Sequence, residues 1–392
     1  MRLSRRTLLS GVISTAAGAI LVACGSDAAT TTPPTVSTAA TTVAVIPTVA
    51  VTIAATPAAT SAPAATAAPT TAPASVGASV APAAISGVAS ATSAAGGLAE
   101  VTAVSMITGL QAPNLVGKLT GLKSLHLALL PTEDTSGAFA ANQAVLAYLK
   151  QALGVGVTGV VAGSYTTEIT AMGAKKVDVA TFGAFEYILA HEAANAQARV
   201  SARKADGTPT SYRSLIIAPV DSPITTLADL KGKSFSFVDP ASTSGHLVPS
   251  YTILTRTGLK ETDYKPTYAG SHPASFQAVA NKKVEAGAVA DVIFAQAPAA
   301  DKSKVKIVDT SFDIPYGPIT VRGDIAMGDQ EVLRQALLGI NDQPRDSTIW
   351  TKFVQSGQGA SATTLVPADD HDYDEVRKIP PAIGVDIKSI VK

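Results

Sequence analysis

The sequence predicts an α/β protein whose folded body carries mixed, mainly parallel sheets flanked by helices, divided into two lobes. Three observations predict it. Strand-like and helix-like segments alternate from residue 124 onward, the rhythm of strands joined by crossover helices. The body is long for one such unit, about 270 residues. A compositional break sets this body apart from an N-terminal region of different character.

That N-terminal region opens with Arg2, Arg5 and Arg6, followed by an apolar small-residue stretch over 7–23. A charged segment followed by an apolar one is the layout of an export signal, expected over 1–23. Ser4-Arg5-Arg6-Thr7-Leu8-Leu9 resembles a twin-arginine signal. The general export route is the alternative, since paired arginines occur there too. Leu21-Val22-Ala23-Cys24 resembles a lipobox, which would make Cys24 the lipidated first residue of the mature chain. An uncleaved membrane helix competes with this reading, and a run this short and rich in small residues is marginal for spanning. Cys24 is the only cysteine, which excludes an intramolecular disulfide. Over 28–97 the chain reduces largely to Ala, Thr, Pro, Ser and Val without charge. We read a disordered or extended tether extending to about residue 121. The chain has 30 basic and 30 acidic side chains. Removing the three early arginines leaves the rest at net −3, so no basic field points to nucleic acid.

The body is expected to begin near Leu122. Residues 124–130 read as a strand. Residues 138–153 read as a helix, with Phe139, Val145, Leu146, Leu149 and Leu153 near helical spacing. A strand over 155–161, a helix over 166–174, a strand over 177–182 and a helix over 184–198 follow. Strands over 214–218 and 234–238 flank a short helix at 227–230.

The stretch 234–254 is the most informative. A strand ends at Val238, a turn follows at Asp239-Pro240, and then come Ser242, Thr243, Ser244 and Gly245 ahead of an apolar helix. A strand, a hydroxyl loop and a helix N-terminus form an anion site, because free N–H groups and the helix dipole favour negative charge. Gly245 would let the backbone approach closely. A single serine acting as an N-cap is the simpler alternative, although a cap needs one hydroxyl and three occur in succession.

Asp239-Pro-Ala-Ser-Thr-Ser-Gly-His-Leu-Val-Pro249 resembles the signature of the phosphate/phosphite/phosphonate substrate-binding family of ABC importers. Other segments fall in that family's order: Pro131-Thr-Glu-Asp134, Tyr165 ahead of Glu168, Lys176 to Gly183 with Tyr187, Tyr212, Thr226 to Lys233, Ala269-Gly-Ser-His272, Ala286 to Asp291, and Ile314 to Ile319. The resemblance implies a two-lobed periplasmic-binding-protein fold, type II-like, with lobe I over 122–217 and 317–392 and lobe II over 218–316. It implies that Ser242, Thr243, Ser244 and His272 hold an oxyanion from lobe II, that Tyr165 and Tyr212 reach it from lobe I and the hinge, and that Tyr187 and Asp291 line the pocket. Tyr187 as plain core is equally compatible with its pattern. Asp291 is an acceptor-only group that would read a P–O–H or an ammonium. Two departures from the family pattern, Ser164 where an acid is frequent and Thr135-Ser-Gly-Ala-Phe139 after Asp134, bear on which substituent the pocket accepts.

The expected function is an extracytoplasmic lipoprotein that delivers a phosphonate, phosphite or phosphate to an ABC permease and its ATPase. It would be a monomer, held to the membrane by its lipid, without cofactor and without nucleic-acid partner. A receptor presenting ligand to a membrane sensor, or a binder of another small oxyanion, is the alternative. An enzyme is not expected, because Ser242 and Ser244 stand in no Gly-x-Ser-x-Gly elbow and no metal-ligand cluster is visible. His371 among Asp369, Asp370, Asp372 and Asp374 reads as a solvated acidic surface, a metal site being the alternative.

Overall fold

The computed structural model describes residues 92–94, 98–103, 110–129 and 135–390. The export signal, Cys24, the tether up to residue 91 and the Pro131–Asp134 motif lie outside the described residues.

Lobe I starts with β1 (Thr92–Ala94) and β2 (Leu98–Thr102), then β3 (Ser124–Leu129), α1 (Thr135–Leu153), β4 (Gly156–Ala162), α2 (Tyr165–Gly173), β5 (Val179–Thr181), α3 (Ala184–Ala194) and β6 (Ala196–Arg203). The chain crosses through β7 (Ser211–Tyr212). Lobe II comprises β8 (Ser214–Pro219), β9 (Ser234–Phe237), α4 (Val248–Thr257), β10 (Lys265–Tyr268), α5 (His272–Ala280), β11 (Ala286–Ala290), α6 (Asp291–Gln296), α7 (Ala299–Lys302) and β12 (Val305–Thr310). It returns through β13 (Ile314–Pro315) to β14 (Ile319–Arg322), α8 (Met327–Leu338), a helical segment over 349–358 and β15 (Thr364–Pro367). Lobe I's sheet has the order β1-β2-β4-β3-β5-β14-β6-β15, lobe II's the order β10-β9-β11-β8-β12, and β7 pairs with β13 as a two-stranded hinge.

Both sheets are mixed. Parallel pairing is confined to β3 with β4 and β5, and to β9 with β10 and β11. The expectation of mainly parallel sheets is therefore corrected. Crossover helices deliver parallel strands, but β8 and β14 enter their sheets through the hinge and pair antiparallel with both neighbours.

Three boundaries also move. β8 was expected in lobe I, yet it pairs with β11 and β12 of lobe II. A strand buried along its whole length reads alike from either sheet. The helix expected over 184–198 stops at Ala194, where Asn195 takes a left-handed φ of 54°, a conformation asparagine tolerates. The folded body also starts before Leu122. β2 pairs antiparallel with β4, and Asp329 in the first turn of α8 accepts the N–H groups of Thr120 (2.8 Å) and Gly121 (2.7 Å).

Each sheet is covered on both faces. In lobe I, α1 and α8 pack Leu146, Leu149, Leu333 and Leu337 on one face. The other face receives α2 and α3 through Ile169, Met172 and Ile188. Lobe II repeats this with Phe235 and Phe237 on one side and Phe276 and Val279 on the other.

Candidate functional site

A cavity of about 370 Å³ lies between the lobes, in the size range of small-molecule sites. Its lobe II wall is the loop after β9. Asp239 accepts the Ala241 N–H at 2.8 Å and closes the turn. Ser242 Oγ accepts the Gly245 N–H at 3.1 Å and so caps the helix. The first helical turn is wide: the Val248 N–H reaches back five residues to the Thr243 carbonyl, a geometry that recurs at functional sites. Gly245 is required by packing. A Cβ there would lie 2.3 Å from the Val238 Cβ, so its role is to seat the loop on the strand end.

The hydroxyls are committed in one direction. The Phe185 N–H of lobe I donates to Thr243 Oγ1 at 2.8 Å, a buried bond across the lobes. Ser242 and Thr243 thus both spend acceptor capacity on backbone donors and keep their O–H groups to donate. His272 opens α5 and is 3% exposed. Its Nδ1 lies 3.1 Å from the Ala290 nitrogen, whose N–H donates to it. The neutral ring therefore carries its proton on Nε2, which lies 3.5 Å from Ser244 Oγ. Burial pushes the imidazole pKa down to about 4, so His272 is a neutral donor at pH 7.

Two tyrosines complete this end. Tyr165 begins α2 beside its cap Ser164, whose Oγ accepts the Thr167 N–H at 3.1 Å. The Tyr165 hydroxyl lies near Ser242, and burial raises its pKa far above the usual value. Tyr212 on the hinge strand lies near Ser244 and Thr243, and burial pushes it up to about 12. Its ring packs at a tilt against that of Tyr316, centroids 4.7 Å apart. The returning chain passes so close to lobe I that a Cβ on Gly317 would meet the Phe182 carbonyl at 2.0 Å.

Six of the eight expected pocket residues therefore converge: Tyr165, Tyr212, Ser242, Thr243, Ser244 and His272 all line the cavity. Two do not. Tyr187 is fully buried in α3, packs on Tyr373 and donates to Asp370 Oδ1 at 2.7 Å. It is core, because its position on α3 turns it away from the cleft and towards the chain after β15. Asp291 is flanked by the lining residues Ala290 and Val292 and is not itself among them, although its charge acts on Tyr212 and Tyr316, which are. Its Oδ1 accepts the Val292 N–H at 2.7 Å, a local bond typical of a carboxylate opening a helix. Among the described residues lining the cavity none is acidic. His371 is exposed and bonds Asp374 at 3.2 Å.

Sequence reasoning missed Lys352 and Ser356 from the segment 349–358, together with Asn142, Gln296 and Tyr316. No local motif marks them. The apolar spacing of Trp350, Phe353 and Val354 fits a buried helix face and says nothing about the face that carries Lys352. A further pair escaped notice behind the wall. Glu168 and Glu186 are fully buried. Glu186 Oε2 accepts the Gly183 N–H at 3.0 Å, but Glu186 Oε1 and both Glu168 oxygens bond nothing among the described residues. Burial raises the pKa of both well above the ordinary carboxylate range, and for Glu186 the charge of Glu168 adds to it.

The family described as the periplasmic substrate-binding protein of phosphonate ABC transporters matches residues 127–373. The phosphonates-binding periplasmic protein of Escherichia coli K12 is 30% identical over 258 residues, covering 62% of this chain and 75% of that one. The phosphate-import protein PhnD of Mycolicibacterium smegmatis is 29% identical over 276 residues, covering 66% and 85%. Among solved structures, the binding component of an ABC phosphonate transporter from Pseudomonas aeruginosa superposes with a TM-score of 0.59 at 24% identity, covering 67% and 86%. PhnD1 of Prochlorococcus marinus, solved with methylphosphonate, gives 0.58 at 19% identity, covering 67% and 98%. These two structures share the two-lobed fold. With the family match spanning most of the chain and the motif order preserved along it, the protein belongs to the periplasmic substrate-binding proteins of phosphonate ABC transporters.

Proposed function

We propose that this protein captures a small phosphorus oxyanion, a phosphonate first and phosphite or phosphate as its relatives, between its lobes and presents it to an ABC permease and ATPase. One observation carries the reading. Three consecutive hydroxyls at a helix N-terminus, a neutral histidine donating from Nε2 and two tyrosines meet in one interlobe cavity whose described lining contains no acid. Such a site offers donors to an acceptor-only ligand and places a helix dipole behind them.

Catalysis has no support in this arrangement. Ser242 and Thr243 accept from backbone N–H groups, and His272 accepts from Ala290, so neither hydroxyl has a free general base beside it. Family membership places the work outside the cytoplasmic membrane. Export through the paired arginines, attachment through Cys24 and a monomeric state extend the reading on the strength of the sequence. Mass spectrometry of protein from its native host should find an acylated N-terminal Cys24, and an intact Met1 in the membrane fraction would sink the lipoprotein reading.

The ligand assignment is tested by calorimetry with methylphosphonate, phosphite, phosphate and sulfate. The expected result is saturable binding of at least one phosphorus oxyanion that is abolished by His272→Phe with Ser244→Ala. Binding that survives this double change, or no binding by any phosphorus compound, overturns it.

A further inference from the structure

The cavity is larger than one tetrahedral oxyanion fills, and its lining changes character from one end to the other. Exposure orders it. Ser242, Thr243, Ser244 and His272 are 1–3% exposed and form the dry end. Lys352, Ser356 and Gln296 also line the cavity but are exposed, and so form its wet end. Apolar groups, among them Val292, Ile293 and Phe353, lie in the same lining. A ligand whose oxyanion sits on the hydroxyl loop therefore points its substituent past carbon-lined walls towards polar tips.

Lys352 is the charged side chain of that lining among the described residues. It stands one helical turn before Ser356 on the segment 349–358, so the two share a face. No ion pair involves Lys352 among the described residues. The charge of Asp291 acts on Tyr212 and Tyr316, whereas at the end lined by Lys352 a cation attracts an anionic substituent and repels an ammonium, and low-dielectric walls strengthen both effects.

We infer that Lys352, with Ser356 and Gln296, forms a subsite for the substituent, and that the preferred ligand class is a phosphonate ending in a carboxylate. This inference rests on the oxyanion reading given above. It is the reverse of selection for aminoalkyl phosphonates, which would require a carboxylate in the lining.

The experiment is calorimetry at low ionic strength on the protein and on Lys352→Gln, with methylphosphonate, phosphonoacetate and 2-aminoethylphosphonate. The protein should bind phosphonoacetate about fivefold tighter than methylphosphonate, the upper end for one partly screened ion pair. Added salt should shrink that advantage. 2-Aminoethylphosphonate should bind no tighter than methylphosphonate. Lys352→Gln should erase the carboxylate advantage, weakening phosphonoacetate by more than methylphosphonate. The inference is overturned if 2-aminoethylphosphonate binds tightest, if the carboxylate advantage is absent or survives the substitution, or if all three ligands weaken alike. Failure of all three to bind the unaltered protein refutes the oxyanion reading itself, which separates the two.

Discussion

Replacing Thr243 by valine keeps the shape of the side chain and deletes its hydroxyl, and the structure assigns that hydroxyl two partners. It accepts the Phe185 N–H of lobe I at 2.8 Å, and its own proton is left to donate into the cavity. Losing a hydrogen bond to a charged ligand costs about 1.5–3 kcal/mol. The Phe185 N–H is buried where the lobes meet, and stranding it there costs about 1–3 kcal/mol more. When the lobes part about the β7–β13 hinge, water satisfies that N–H, so this second cost falls on closure and is read as lost affinity. Thr243→Val should therefore weaken binding by roughly two to four decades, while the thermal midpoint of the ligand-free protein falls little. Thr243→Ser retains the hydroxyl and should stay within about one decade. Calorimetry on both variants with the tightest phosphonate reads the difference. A valine variant within one decade of the unaltered protein, or a serine variant as weak as the valine one, would refute the reasoning.

Glu168→Gln addresses the buried acid pair. Both folded pKa values stand above the unfolded ones, so the folded state holds extra protons once pH exceeds about 4.5, and stability falls as pH rises through that interval. The variant should lose less thermal midpoint between pH 5.5 and 8 than the unaltered protein, and parallel melting profiles would remove the effect. Asp291→Asn should leave the ratio of sulfate to phosphonate affinity within about threefold, less than one good hydrogen bond, because Asp291 lies off the lining. A larger change in paired titrations would return it to the site. A chain starting at Ser124 loses β2 and the Thr120 and Gly121 donors to Asp329. Compared with a chain starting at Thr92, it should melt at least about 4 °C lower, and equal melting curves would contradict the assigned strand.

Fold class and the polar end of the site were legible because their signals are local. Alternating apolar segments specify strands and helices wherever they occur. A strand, three hydroxyls and a helix start lie within a few residues, so the loop from Asp239 to Gly245 announces its cap and its donors before any neighbour is known. The ordered motifs around Tyr165, Tyr212 and His272 carried the family and with it the two-lobed fold. Which sheet β8 joins is a long-range pairing that an unbroken apolar run does not encode. Leu98–Thr102 lacked a strand signal because its small residues gain order from β4, some sixty positions away. The helix face carrying Lys352 and the turning of Tyr187 away from the cleft likewise depend on packing between distant segments. The sequence by itself determined the donors that hold an oxyanion, because hydrogen-bonding capacity is a property of residue type. Only the tertiary structure decided that Asp291 is kept out of the lining and Lys352 is set within it, because a charge acts through distance and exposure, which chain order does not contain.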